Sequence, residues 1–195
     1  HAMAQWQQMR ERYIADREQC LPVIDAKSQA YLLGEPYAVL DHCDLILSQS
    51  PYPDYIPHSF DLDYFPAEKG LLVEYLLPPL RVFPRLKGVQ YIESNNTFRD
   101  VLMSDEERNT LYANALYELP LRTLHELFQG DVAKAVKRIR IDGYIFLDEH
   151  PTPGQPPTCV LSIELDKETF MQVDLHKEDP ITAFNALGGV FHSAG

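Results

Sequence analysis

Apolar and polar positions fall into their clearest order between Ser104 and Leu165. Ser104 followed by Glu107 has the spacing of a capping box, in which hydroxyl and carboxylate each satisfy a backbone N–H at a helix start. Leu111, Ala115, Leu116 and Leu119 then recur roughly on one face at helical spacing. Pro120 interrupts the run. It lacks the N–H that would bond four residues back, so it is expected either to kink this helix or to open a second one. Leu121, Leu124, His125 and Phe128 repeat at i, i+3, i+4 and i+7, and Gly130 suits a left-handed stop. Asp131 is placed to cap a short helix over DVAKAVK.

The period then changes from helical to two. In RIRID, Ile139 and Ile141 face one way and Arg138, Arg140 and Asp142 the other, the pattern of a half-buried strand that YIFL can continue. DEHPTPGQPP is too rich in proline to stay in a sheet. CVLSIEL returns as a strand, with Cys159, Leu161, Ile163 and Leu165 alternating against Val160, Ser162 and Glu164.

On either side the order is weaker. Residues 4–21 read as a charged helix with Trp6, Met9, Tyr13 and Cys20 near one stripe, the end of a longer helix or of a coiled coil. Pro22 restarts the chain, VIDAKSQAYLL predicts a second helix stopped by Gly34, and Val39, Leu40, Cys43, Ile46 and Leu47 mark a third. Residues 50–70 hold four prolines and five aromatics, which points to a functional loop or a boundary. LLVEYLL is an apolar strand ended by Pro78 and Pro79, and VFPRLKGVQYIES supplies another with Leu86, Val89 and Tyr91 inward. Asp166 caps a short helix holding Phe170. Asp179, Pro180 and Gly188 stand as N-cap, first helical residue and stop of a last one. The expected class is α+β: a small mixed sheet with flanking helices. Residues 1–50 would form a helical appendage (1–3 a tag remnant), 51–70 a connection, and 71–195 the core domain.

Composition changes this picture in three places. A length of 195 residues suffices for one good core, and the HAM start and VFHSAG end read as cuts from something longer. No apolar run approaches the roughly 20 residues that span a bilayer, and three scattered cysteines suggest reduced thiols in a cytoplasmic setting. The net charge of −12 disfavours a grip on phosphate backbones by this chain alone. Its densest basic cluster, Lys134, Lys137, Arg138 and Arg140, is the candidate nucleic-acid contact, against the plainer reading of a solvated helix face and strand edge.

Recognisable catalytic motifs are few. DHCD at 41–44 contains ligand-type residues, but neighbours on a helix point in different directions and no metal-binding spacing accompanies them. His125 lies on an apolar face and reads as a core histidine. Nucleases of the PD-(D/E)-x-K type place an Asp on one strand and an acidic-x-Lys on the next, the carboxylates holding Mg²⁺ and the lysine steadying the attacking water. Asp142 and Glu164 stand in compatible order as catalytic candidates. The lysine is missing, because Leu165 and Asp166 follow Glu164 and Lys167 comes one residue too late. A degenerate, non-catalytic core of that type is therefore expected ahead of a Mg²⁺-dependent endonuclease.

Several ordered blocks also carry a resemblance. LLVEYLLPPL, RLKGVQYIES, the run from Ser104 to Val136, IDGYI, CVLSIELDKETF and DLHKEDPITAFNALGGV resemble a region of large bacterial Mrr-like restriction endonuclease proteins. The likeness covers about residues 71–190. In such proteins this region follows a long charged coiled coil and precedes a separate catalytic domain. Members more often carry Asn-Gly at the place of Asp142-Gly143, and Ser-Val-Gln at that of Ser162 to Glu164. The resemblance implies a phage-defence setting and a non-catalytic interaction, sensing or DNA-positioning module with no cofactor of its own. Its partners would be DNA, through the parent protein, and a nuclease domain or partner protein. A protein-interaction domain with no nucleic-acid role is the plainer alternative.

Overall fold

A long helix forms the spine. The computed structural model describes residues 2–192 except 57–58, 149–150, 153 and 176. Ser104 accepts from the Glu107 N–H while the Glu107 carboxylate accepts from the Ser104 N–H, so the capping box forms. The helix it starts, α3 (Asp105–Gly130), passes through Pro120 without a break. Pro120 is buried in a helix that also buries Leu116, Leu119, Leu124, Leu127 and Phe128, so burial of this helix outweighs the lost bond. The carbonyls at its end are taken up by side chains: Lys167 donates to Phe128, and the His42 ring bonds Gly130 at 3.0 Å.

The helix expected over DVAKAVK does not form. Asp131, buried, turns its carboxylate onto the N–H groups of Ala135 and Val136 at 3.0 Å each and accepts from the Tyr31 hydroxyl at 2.9 Å. Lys134 sits at φ +54°, which no helix continues. The segment is a tight turn that feeds the sheet.

The sheet has five strands in the order β1-β2-β5-β6-β7: β1 (Phe60–Phe65), β2 (Gly70–Leu76), β5 (Arg138–Ile145), β6 (Thr158–Asp166) and β7 (Val190–Phe191). β2 and β5 are parallel, with α3 in the connection between them, and the other pairs are antiparallel. The chain is therefore α+β with a mixed sheet. Leu71, Val73 and Tyr75, Ile139 and Ile141, and Leu161, Ile163 and Leu165 point inward with the period of two the sequence shows. Cys159 departs from that period. A bulge opposite Gly143–Tyr144 brings Val160 inside and leaves Cys159 half-buried beside Tyr144. Gly143 has no room for more, since a Cβ there would lie 2.7 Å from Leu161 Cγ and 2.8 Å from Leu77 Cδ1. Two helices, α4 (Lys167–Phe170) and α5 (Pro180–Ala186), begin at Asp166 and Asp179 caps as predicted.

Three expectations fail at the periphery. Pro22 does not restart the chain: α1 runs unbroken from Ala2 to Leu32. Every described residue on it from Gln5 to Gln29 is exposed, so no neighbour crowds the proline ring. Gly34, at φ +75°, does end it. α2 (Pro36–Ser48) shares the main core through Val39, Cys43 and Leu47. The stretch 50–70 is not only connection, since it contains β1 and the start of β2. Finally, β3 (Leu86–Ile92) pairs with β4 (Thr97–Leu102) in a separate hairpin. Leu86, Val89 and Tyr91, expected inward, are all exposed.

Candidate functional site

The period of two puts Arg138, Arg140 and Asp142 on one face of β5, and the pairing register sets β6 beside them. Asp142 lies opposite Ser162, Arg140 opposite Glu164, and Arg138 opposite Asp166. Asp142 and Glu164 are thus diagonal neighbours on one sheet face, near enough to serve a shared ion if nothing stood between them. Arg140 is opposite Glu164 in the register and bonds Asp142. Its Nε donates to both Asp142 oxygens, at 2.9 and 3.1 Å, and the nearby Glu164 carboxylate also favours its charge. The hydrogen bond that Arg140 donates to Asp142 is the main reason the Arg140 pKa is raised above its usual value. Ser162 donates a third bond to Asp142 at 2.6 Å, and Arg138 reaches Glu164 at 3.4 Å.

A buried carboxylate needs compensation, and Asp142 obtains it from a guanidinium and a hydroxyl. Those oxygens are committed. Among the described residues no three His, Cys, Asp or Glu side chains are grouped so as to hold a metal ion. These acids fit Mg²⁺ poorly, because the cation beside them is already an arginine. One strand away Glu74 accepts from Tyr144 at 2.9 Å, and that bond is the main reason the Tyr144 pKa is pushed up to about 12.

The four basic candidates separate. Arg138 and Arg140 are paired with Glu164 and Asp142. Lys134 and Lys137 are exposed in the turn before β5, and Lys69 joins them from the β1–β2 turn: its ammonium donates to the Lys134 carbonyl at 3.1 Å, and its own carbonyl accepts from the Lys137 N–H. Three lysines therefore cluster beside the paired arginines. Sequence order hides Lys69, which lies far upstream.

Of the DHCD group, Cys43 is buried and its thiol is pushed up to about 12 by that burial, while His42 stacks on Tyr31 with ring centroids 3.9 Å apart. Asp41 pairs with Lys27 at 2.8 Å. These side chains fasten α1 and α2 to the end of α3.

A second site has no counterpart in the sequence reading. A groove of about 750 Å³ runs along α3 from Leu111 to His125, lined also by Tyr55 and Phe83 and by Phe170, Val173, Leu175 and Pro180. Its floor is largely apolar. Arg122 borders it, held by Glu126 at 2.8 Å and Ser50 at 3.0 Å, with its guanidinium 4.3 Å from the Tyr52 ring centroid. His125, expected in the core, lines this groove instead. Behind Arg122 the Tyr75 hydroxyl is buried without a hydrogen-bond partner among the described residues. No helix among the described residues is long and apolar enough to cross a membrane. Compared with protein-family models, with curated proteins and with solved structures, the chain matches none.

Proposed function

We propose that this chain is a non-catalytic interaction module of a bacterial restriction or defence protein, holding or positioning a partner in the cytoplasm for a nuclease carried elsewhere. Arg140 carries the reading. Its guanidinium is bonded to both oxygens of Asp142, an acid that a metal-dependent nuclease would need free, and it makes Asp142 part of a structural ion pair. The restriction setting rests on the resemblance of residues 71–190 to Mrr-like proteins. The groove along α3 gives such a module a place to receive a partner.

Incubation of the purified chain with supercoiled plasmid and Mg²⁺ or Mn²⁺ tests this. The plasmid should stay supercoiled. Nicking that disappears in Asp142→Asn overturns the reading in favour of a Mg²⁺-dependent endonuclease. The DNA-positioning form is supported by the lysine cluster of Lys69, Lys134 and Lys137. It requires retention of DNA at low salt that fades in Lys134→Glu/Lys137→Glu. Absence of retention leaves a protein-interaction domain with no nucleic-acid role.

A further inference from the structure

The groove along α3 and the exposed part of α1 answer one another. Between Met3 and Tyr13, α1 exposes Met3 (79%), Trp6 (58%), Met9 (69%) and Tyr13 (69%). At 100° per residue these four fall on one stripe about 15 Å long, with Arg10 within it, Arg12 beside it and Glu11 on the far side. Arg10 already leans over the Trp6 ring, 5.8 Å from its centroid. The groove extends along α3 for about 20 Å, from Leu111 to His125, so it is long enough for such a stripe.

Charge matches as well as length. Arg122 is taken up by Glu126, and Asp174 pairs with Lys177. Among the described lining residues this leaves Glu118 and Glu178, both exposed, to give the rim a negative sign toward arginines. The stem cannot serve its own groove, since it is one continuous helix whose described residues 5–29 are all exposed. The β3–β4 hairpin also exposes apolar side chains, among them Val89, Tyr91 and Phe98.

We infer that the groove along α3 receives the α1 stem of a second copy of this chain, apolar stripe inward, with Arg10 over Trp6 and Arg12 against the acidic rim. A reciprocal exchange about a two-fold axis closes the pair and makes two such contacts, which brings the buried surface toward the ~1,600 Å² of standard stable interfaces. The inference names the partner of the interaction module proposed above and rests on that reading.

Trp6 is the chain's single tryptophan and reports on the contact directly. Sedimentation and tryptophan emission, followed together over a dilution series, should show monomer passing to dimer as the emission maximum moves to shorter wavelength. Glu178→Lys and Arg12→Glu should each weaken association by about tenfold, and combining them should restore it. Ala115→Arg, with folding checked by circular dichroism, should abolish it. A monomer at every concentration overturns the inference. So does a dimer in which Trp6 keeps the emission of a water-exposed indole, or one broken by Phe98→Ser on the hairpin and not by the groove variants. A monomer that leaves plasmid intact removes the second copy alone, whereas plasmid cleavage removes the parent reading.

Discussion

At the scale of single residues, the question is which buried polar groups are answered. The Tyr31 hydroxyl donates to Asp131 and accepts from the Ala133 N–H at 3.2 Å, whereas the buried Tyr75 hydroxyl has no partner among the described residues. The same substitution should therefore act oppositely at the two positions. Tyr31→Phe orphans part of Asp131 and should cost about 1–3 kcal/mol, while Tyr75→Phe should be neutral or stabilise by up to about 1 kcal/mol. Urea unfolding of both variants checks this, and equal losses would contradict it. Burial raises the Tyr31 phenol and the Cys43 thiol to about 12, and the bond to Glu74 does the same for Tyr144. The folded chain thus keeps protons that the unfolded chain releases near pH 10 for tyrosine and about 8.5 for cysteine. Below those values the stabilisation is fully present, and it is lost as pH rises toward about 12. Denaturation midpoints should fall steadily from pH 9 to 11, with less of a fall in Tyr31→Phe. A flat profile would refute the assignment.

Elements show why some signals were legible and others not. Ser104 with Glu107, Asp166, and Asp179 with Pro180 each start a helix where local chemistry says they should, because a cap is a bargain between near neighbours. Pro22 misleads, and at Pro120 only the opening of a second helix fails, because a helix can carry a proline at the loss of one backbone bond. One sits in a fully exposed helix and the other in a packed one, and both helices continue. β4 went unseen since five of its six residues are exposed, so no alternation marks it. The free stem of α1 has an energetic consequence. Apart from the exposed Lys27–Asp41 ion pair near its end, this helix buries no described side chain over residues 5–29 and is held mainly by its own hydrogen bonds, which are marginal in water. In dilute protein, amide hydrogens of 5–29 should exchange far faster than those of 116–128 in α3. Equal protection at a concentration where the chain is monomeric would contradict this picture.

For the molecule as a whole, sequence order conceals what the fold brings together. The groove draws its walls from residues 52–56, 83, 111–125 and 170–183, segments whose proximity no spacing rule predicts. The acid–arginine face was half legible. The period of two gave the shared side of Arg138, Arg140 and Asp142, but the register that sets Glu164 opposite Arg140 needed the fold. That register bears on the chemistry, for each of the two acids is paired with an arginine, Asp142 with Arg140 and Glu164 with Arg138. Loss of the free Mn²⁺ resonance signal on titration with the purified chain tests this most directly, with Asp142→Asn as control. The account predicts that Mn²⁺ stays free beyond weak, non-stoichiometric association of the kind any chain of net charge −12 shows, and equally so in the variant. One-to-one binding by the native chain that disappears in Asp142→Asn would contradict it.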